Sequence, residues 1–259
     1  MTTAPEDALT RWTDLLLPRF RWGEILPRTS GVRRGEGYQF YRLVPLDVML
    51  VSLGLGIEDY TPEGVENAMP NFWPCVEALA EERVDRILLA GVPISSQLGR
   101  ARVLALQDQV RQRTGIEMDA SLEAILAGLQ RLGARRVVVA SRWAEPLNRA
   151  LSAYLEAGGV EVLATTARGQ WAASAFGMSL EEGLRTALEV GREAAHLASA
   201  AEAIVVPGGA AMSLHVVPAL EEEANKPVLT NLNAEVWNGL VRPSVIPPVQ
   251  GWGRLLAAV

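Results

Sequence analysis

Short runs of consecutive apolar residues alternate along the chain with stretches in which apolar positions recur every three or four residues. The runs lie in "RWGEILPRTS", "DVMLVSLGLG", "VDRILLAGVPIS", "ARRVVVASRW", "VEVLATTA", "EAIVVPGGA" and "KPVLTNL". Apolar on both faces, they read as parallel strands buried between helices. The stretches between them carry helical periodicity: "TPEGVENAMPNFWPCVEALAEER", "ARVLALQDQVRQRTG", "SLEAILAGLQRLG", "AEPLNRALSAYLEAGG", "LEEGLRTALEVGREAAHLASA" and "MSLHVVPALEEEAN". Several end in glycine, which adopts the left-handed conformation that stops a helix. The alternation predicts an α/β protein.

Two of the strand-to-helix junctions are alike. Leu88-Leu89-Ala90-Gly91 and Val205-Val206-Pro207-Gly208 each end a strand in glycine ahead of a helical stretch that contains serine. The repetition predicts two pseudo-symmetric, Rossmann-like lobes whose parallel sheets face each other across a cleft. A ligand there would meet the carboxyl ends of the strands, where helix N-termini present free N–H groups to an anion. The expected division is an N-terminal extension over 1–20, a first lobe of 21–112 plus 231–259, and a second lobe of 113–230.

Composition narrows the function. The 259 residues carry a net charge of -6 with no long run of one sign, which argues against a nucleic-acid partner. No segment has the roughly 18 uninterrupted apolar residues of a membrane span, and "MTTAPEDALTRW" lacks the basic start and apolar stretch of a signal peptide. A cytoplasmic location is expected. Cys75 is the single cysteine, so no intramolecular disulfide or thiolate metal cage is possible, and His196 and His215 match no metal-ligand spacing. Neither GxGxxG nor GxxxxGK[ST] occurs. No cofactor is expected, the expected partner is a small carboxylate, and a homodimer stays open.

Four segments in order resemble the aspartate/glutamate racemase superfamily, in the branch of the maleate isomerases and arylmalonate decarboxylases. They are "ILPRTSGVRRGEGYQFYRLVP", "GVPISSQLG", "GIEMDASLEAILAGLQRLGARRVVVAS" and "AIVVPGGAAMSLHVVPALEEEANKPVLTNLNAEVWNGL", within residues 22–240. The resemblance implies a two-lobed fold and chemistry at the carbon next to a carboxylate, performed by a cysteine on one or both facing turns. Those cysteine positions match Gly91 and Gly208. The hydroxyl residues that follow the first turn in the family match Val92 and Pro93, and the assisting tyrosine of the decarboxylases matches Trp143. Backbone N–H groups at Gly209 and Ala210, with Ser95, Ser96, Thr29 and Ser30, are what the resemblance leaves for holding a carboxylate.

Other residues compete for the chemistry. Asp119 and Glu123, flanking the segment of "MDASLE", offer carboxyls that burial would turn into an acid or base, although Ser121-Leu122-Glu123 also reads as an ordinary first helical turn capped by Asp119 or Ser121. His215, seven residues beyond Gly208, is a candidate base or a packed core histidine. Cys75 has helical-face neighbours Val76, Leu79 and Ala80 and reads as core. Arg33, Arg34 and Arg42 are the cations nearest the first loop, and Trp22, Trp73, Trp143, Trp171 and Trp237 fall near strand ends or cleft-side loops. The combination predicts a cysteine-free decarboxylase- or isomerase-like enzyme acting on a small carboxylic or dicarboxylic acid, with or without an aryl group, through an enediolate. Alternatives are an inactive carboxylate-binding relative, and a hydrolase or lyase using Glu123 or His215.

Overall fold

The computed structural model describes residues 16–28 and 36–257. Thr29, Ser30, Arg33 and Arg34, and most of the expected N-terminal extension, lie outside the described residues.

The first sheet comprises β1 (Phe20–Leu26), β2 (Val48–Gly54), β3 (Arg86–Leu89) and β4 (Met118–Ala120), and the second comprises β5 (Arg136–Val139), β6 (Glu161–Thr165), β7 (Ala203–Val206) and β8 (Val228–Thr230). Their spatial orders, β2-β1-β3-β4 and β6-β5-β7-β8, are the same permutation, and every pair is parallel. The two pseudo-symmetric lobes expected from the sequence are therefore present. Consecutive apolar residues place the inner strands under helices on both faces, so that Ile87, Leu89, Val137, Val139, Ile204 and Val205 are fully buried.

The helices of the first lobe are α1 (Glu36–Tyr41), α2 (Pro62–Ala68), α3 (Phe72–Glu81), α4 (Val92–Leu98) and α5 (Arg100–Thr114). Those that follow are α6 (Ser121–Arg131), α7 (Glu145–Ala157), α8 (Leu180–Leu197), α9 (Val217–Ala224), α10 (Asn231–Val236) and α11 (Arg254–Ala257). Pro70 lies in a 3₁₀ turn, Met69–Asn71, which divides the single helical stretch read between residues 61 and 83 into α2 and α3. A second difference follows Gly208. Met212 takes φ 58°, and two 3₁₀ turns, Gly209–Ala211 and Ser213–Val216, precede α9, so His215 is not inside an α-helix.

The lobe boundaries also differ from the expected ones. Met118–Ala120 pairs with β3 and completes the first sheet, so residues 118–120 belong to the first lobe rather than the second. A three-residue strand with an aspartate at its centre carries too little apolar pattern to be read. Asp119 is accommodated because Arg86 bonds both its oxygens, at 2.5 and 2.9 Å, and Asn238 adds a third bond at 3.0 Å. That last bond draws the π-helical turn Trp237–Val241 onto the first lobe, whereas Arg254 N–H binds Glu221 of the second at 2.9 Å. The C-terminal segment thus serves both lobes.

Candidate active site

Between the lobes, at the carboxyl ends of the strands, lies a cavity of about 110 Å³ with mainly apolar walls. Open α/β sheets present their ligand sites at this place because helix N-termini converge there. The first lobe contributes Trp22 and Leu26 from β1, then Ala90, Gly91, Val92 and Pro93 from the β3–α4 turn. From the second come Arg142 and Trp143 after β5, Ala172 and Phe176 from a 3₁₀ segment, and Gly208, Gly209 and Ala210 after β7. Two contacts bridge the lobes beside it: Arg28 lies 4.6 Å over the Phe176 ring, and the Gln39 amide donates to the Met212 sulfur at 3.3 Å.

Both glycine turns have left-handed backbones that favour glycine. Gly91 has φ 108° and Gly208 has φ 96°. A Cβ on Gly91 would stand 2.9 Å from Pro27 Cγ, and one on Gly208 would stand 3.3 Å from Trp143 Cζ2. Gly209 is pressed just as closely, with Asn231 Nδ2 2.9 Å from the place of its Cβ.

The two turns are lined by equivalent neighbours. Ser121 opens α6 directly after β4, and Asn231 opens α10 directly after β8. Gly91 N–H donates to Ser121 Oγ at 2.7 Å, so the amide at the first turn is taken by a side chain. Ser121 Oγ in turn donates to Glu235 Oε1 at 2.5 Å. Glu235, 4% exposed, lines the cavity, as does Glu24, whose Oε2 accepts from Ser52 at 2.9 Å. Trp22 Nε1 and Trp143 Nε1 are buried without a hydrogen-bond partner among the described residues. Asn231 Oδ1 is an acceptor in the same condition. A buried, unpaired N–H costs free energy that a ligand oxygen would recover.

Residues 22–256 match the profile of the arylmalonate decarboxylase family. The chain belongs to that family. Arylmalonate decarboxylase of Bordetella bronchiseptica is 25% identical over 218 residues, spanning 84% of this chain and 88% of the relative. A liganded arylmalonate decarboxylase carrying a glycine-to-cysteine and a cysteine-to-serine exchange is 24% identical, with a TM-score of 0.81 over 91% of this chain and 98% of that one. A cysteine-to-alanine variant of the maleate isomerase of Pseudomonas putida S16, with maleate, has a TM-score of 0.79 at 21% identity, covering 92% of this chain and 97% of that one. At these identities the likeness is one of fold.

Within this arylmalonate decarboxylase fold, the residues singled out from the sequence divide. Gly91, Val92, Pro93, Trp143, Gly208, Gly209 and Ala210 come together around the cavity. Ser95 does not: it is fully buried inside α4, outside the cavity lining. Glu123 is displaced as well, onto a separate surface groove, where Arg100 Nε bonds it at 2.8 Å and Tyr154 Oη at 3.0 Å. Burial, followed by the Glu123 charge, drives the Tyr154 phenol far above its usual range. His215 packs edge-on against Trp252 with ring centroids 5.5 Å apart, and burial, then the Arg42 charge, lowers its pKa. It does not line the cavity, and neither does Arg42. Neither Glu123 nor His215, the two bases expected from the sequence, stands among the residues that line the cavity.

Cys75 is 8% exposed on α3, its thiol facing Gly54 O at 3.8 Å and pushed to a higher pKa by burial. Of the five tryptophans singled out, Trp22 and Trp143 reach the cavity. Trp73 instead lies under Arg113 at 3.8 Å, Trp171 is 41% exposed, and Trp237 is packed in the π-helical turn.

Sequence reasoning missed Glu24, Arg28, Arg142, Ser121 and Glu235. A signal existed for two of them. Glu24 interrupts the apolar run of β1, and Arg142, 4% exposed, directly precedes Trp143. Among the described residues no group of three or more His, Cys, Asp or Glu is placed to hold a metal, and no helix is long and apolar enough to cross a membrane.

Proposed function

We propose that the protein is a cysteine-free decarboxylase, or isomerase-like enzyme, acting on a small aryl-substituted carboxylic or dicarboxylic acid through an enediolate. The observation that carries this reading is a mainly apolar interlobe cavity, bounded by two glycine turns and walled by Trp22 and Trp143, whose buried indole N–H groups have no hydrogen-bond partner among the described residues. Its aromatic walls suit an aryl group, and amides at the Val92 and Gly209 ends suit an oxyanion. A carboxylate forced against apolar walls loses its hydration, which favours departure as CO₂, and that step needs no nucleophile. Homology to arylmalonate decarboxylase supports the same substrate class.

Two glycine turns also favour a second reading, an inactive relative that binds a small carboxylate. We further propose a cytoplasmic location and no cofactor. Incubating the protein with an aryl methyl malonate and following CO₂ separates the readings. Release above the uncatalysed rate supports decarboxylation; calorimetric binding of the malonate without release supports the carboxylate binder; the absence of both release and binding overturns both readings.

A further inference from the structure

The cavity holds few side chains able to give up a proton. Among its described lining residues these are Glu24, Tyr60 and Glu235, a guanidinium being no proton donor to carbon. An enediolate formed in this cavity has to be protonated on carbon by one of them or by water.

Position distinguishes the three. Glu24 pairs in register with Leu88, three residues before Gly91, which sets it roughly 10 Å back along the strand from the turn. Tyr60 is a weak acid whose proton leaves near pH 10 in water. Glu235 is tied to the turn itself. Ser121 Oγ accepts from Gly91 N–H at 2.7 Å, which commits the serine's own hydrogen to Glu235 Oε1 at 2.5 Å. The carboxyl oxygen is thus no farther from the Gly91 amide than these two bonds laid end to end. Helix α10 carries Glu235 to this place by packing against α6, whose first residue is Ser121.

Burying a carboxyl costs free energy even when it is hydrogen-bonded, and an apolar side chain would fill the same wall without that cost. Residues of this kind, in a cleft and held by a specific partner, are characteristic of acid–base sites.

We infer that Glu235, oriented by Ser121, is the acid that protonates the substrate carbon. The assignment rests on the decarboxylation reading. Loss of CO₂ breaks the carbon–carbon bond and leaves its electron pair on the α-carbon as the enediolate. The O–H bond of the Glu235 carboxyl then breaks, its proton forms the new C–H bond, and the resulting carboxylate recovers a proton from water. Ser121 is a positioning residue that holds one carboxyl oxygen so that the proton arrives on one face of the planar intermediate.

The test uses the full chain and a prochiral aryl methyl malonate, with CO₂ release and product enantiomeric excess followed together. Glu235→Gln keeps an oxygen to accept from Ser121 and removes the acid. Expected is a loss of turnover of about 100-fold or more, or CO₂ release that continues while the product becomes racemic, because water then protonates both faces. Ser121→Ala is expected to lower enantiomeric excess with a smaller loss of rate. Wild-type rate and enantiomeric excess in Glu235→Gln would overturn the assignment while leaving the decarboxylation reading intact, as would loss of stereocontrol in Glu24→Gln alone. A wild-type chain that releases no CO₂ overturns both. Where Glu235→Gln does not fold, Glu235→Asp retains the acid but withdraws it by one methylene, and unchanged rate and stereochemistry in that variant overturn the assignment too.

Discussion

Trp143 occupies the space beside Gly208 that a side chain there would need, its Cζ2 standing 3.3 Å from the position of the missing Cβ. The ring is 1% exposed and cannot retreat into solvent. The second turn is therefore closed to a thiol in two ways, by this contact and by the left-handed φ of 96°.

Gly208→Cys is accordingly expected to cost about 1–2 kcal/mol of stability through the backbone conformation, with the Trp143 contact adding to that. Urea unfolding of the variant and the wild type measures it, and equal midpoints would show that the turn relaxes. Pairing the change with Trp143→Phe should recover part of the loss.

Trp143→Phe by itself removes an N–H that has no partner among the described residues. No hydrogen bond is lost in the free protein, so the expected cost is about 1–2 kcal/mol of packing. Affinity for an aryl carboxylate should fall about 2- to 10-fold, the worth of one hydrogen bond to the ligand. Calorimetry with phenylacetate would show undiminished affinity if the indole does not reach the ligand.

Glu123→Gln should behave in the opposite way. It weakens the Arg100 and Tyr154 bonds at 2.8 and 3.0 Å and leaves the cavity untouched. A loss of about 1–3 kcal/mol in stability with unchanged ligand affinity is expected. A selective loss of affinity would return Glu123 to the site.

The pH dependence of stability should show two opposed carboxylates. Glu221 is buried, which raises its pKa above the ordinary 4.5, although it accepts N–H bonds from Val228 and Arg254, each at 2.9 Å. The folded chain then holds this proton more tightly than the unfolded one. Its contribution is complete below pH 4.5 and is lost as pH rises through the folded value. Glu202 runs the other way. The Arg135 N–H, then the Arg136 side chain and N–H, lower it to about 2, so its contribution is present above pH 4.5 and is lost as pH falls toward 2. Urea midpoints measured from pH 3 to 7 test both. Glu221→Gln should flatten the fall above pH 4.5, and Glu202→Gln the fall below it.

The apolar runs and the glycines that end them determined the architecture. A strand such as Ala203–Val206, apolar at every position, is stable only between two layers of helices, and Gly91 and Gly208 mark where the chain turns sharply into the next element. That much is local physics and is legible without coordinates. Met118–Ala120 was not, because its aspartate is made tolerable by Arg86 and Asn238, which are distant in the chain.

Only the tertiary structure decided which acid faces the cavity. Ser121 and Glu123 are two positions apart on α6, about 200° around its axis, so a helix that turns Ser121 toward Gly91 necessarily turns Glu123 toward Arg100 and Tyr154. The rotation of α6 is fixed by packing against α4, α10 and β4, none of which a helical spacing pattern specifies. Glu235 comes to Ser121 across 114 residues because α10 returns from the second sheet to lie against α6. A hydrogen bond formed over that separation exists only once both lobes have assembled.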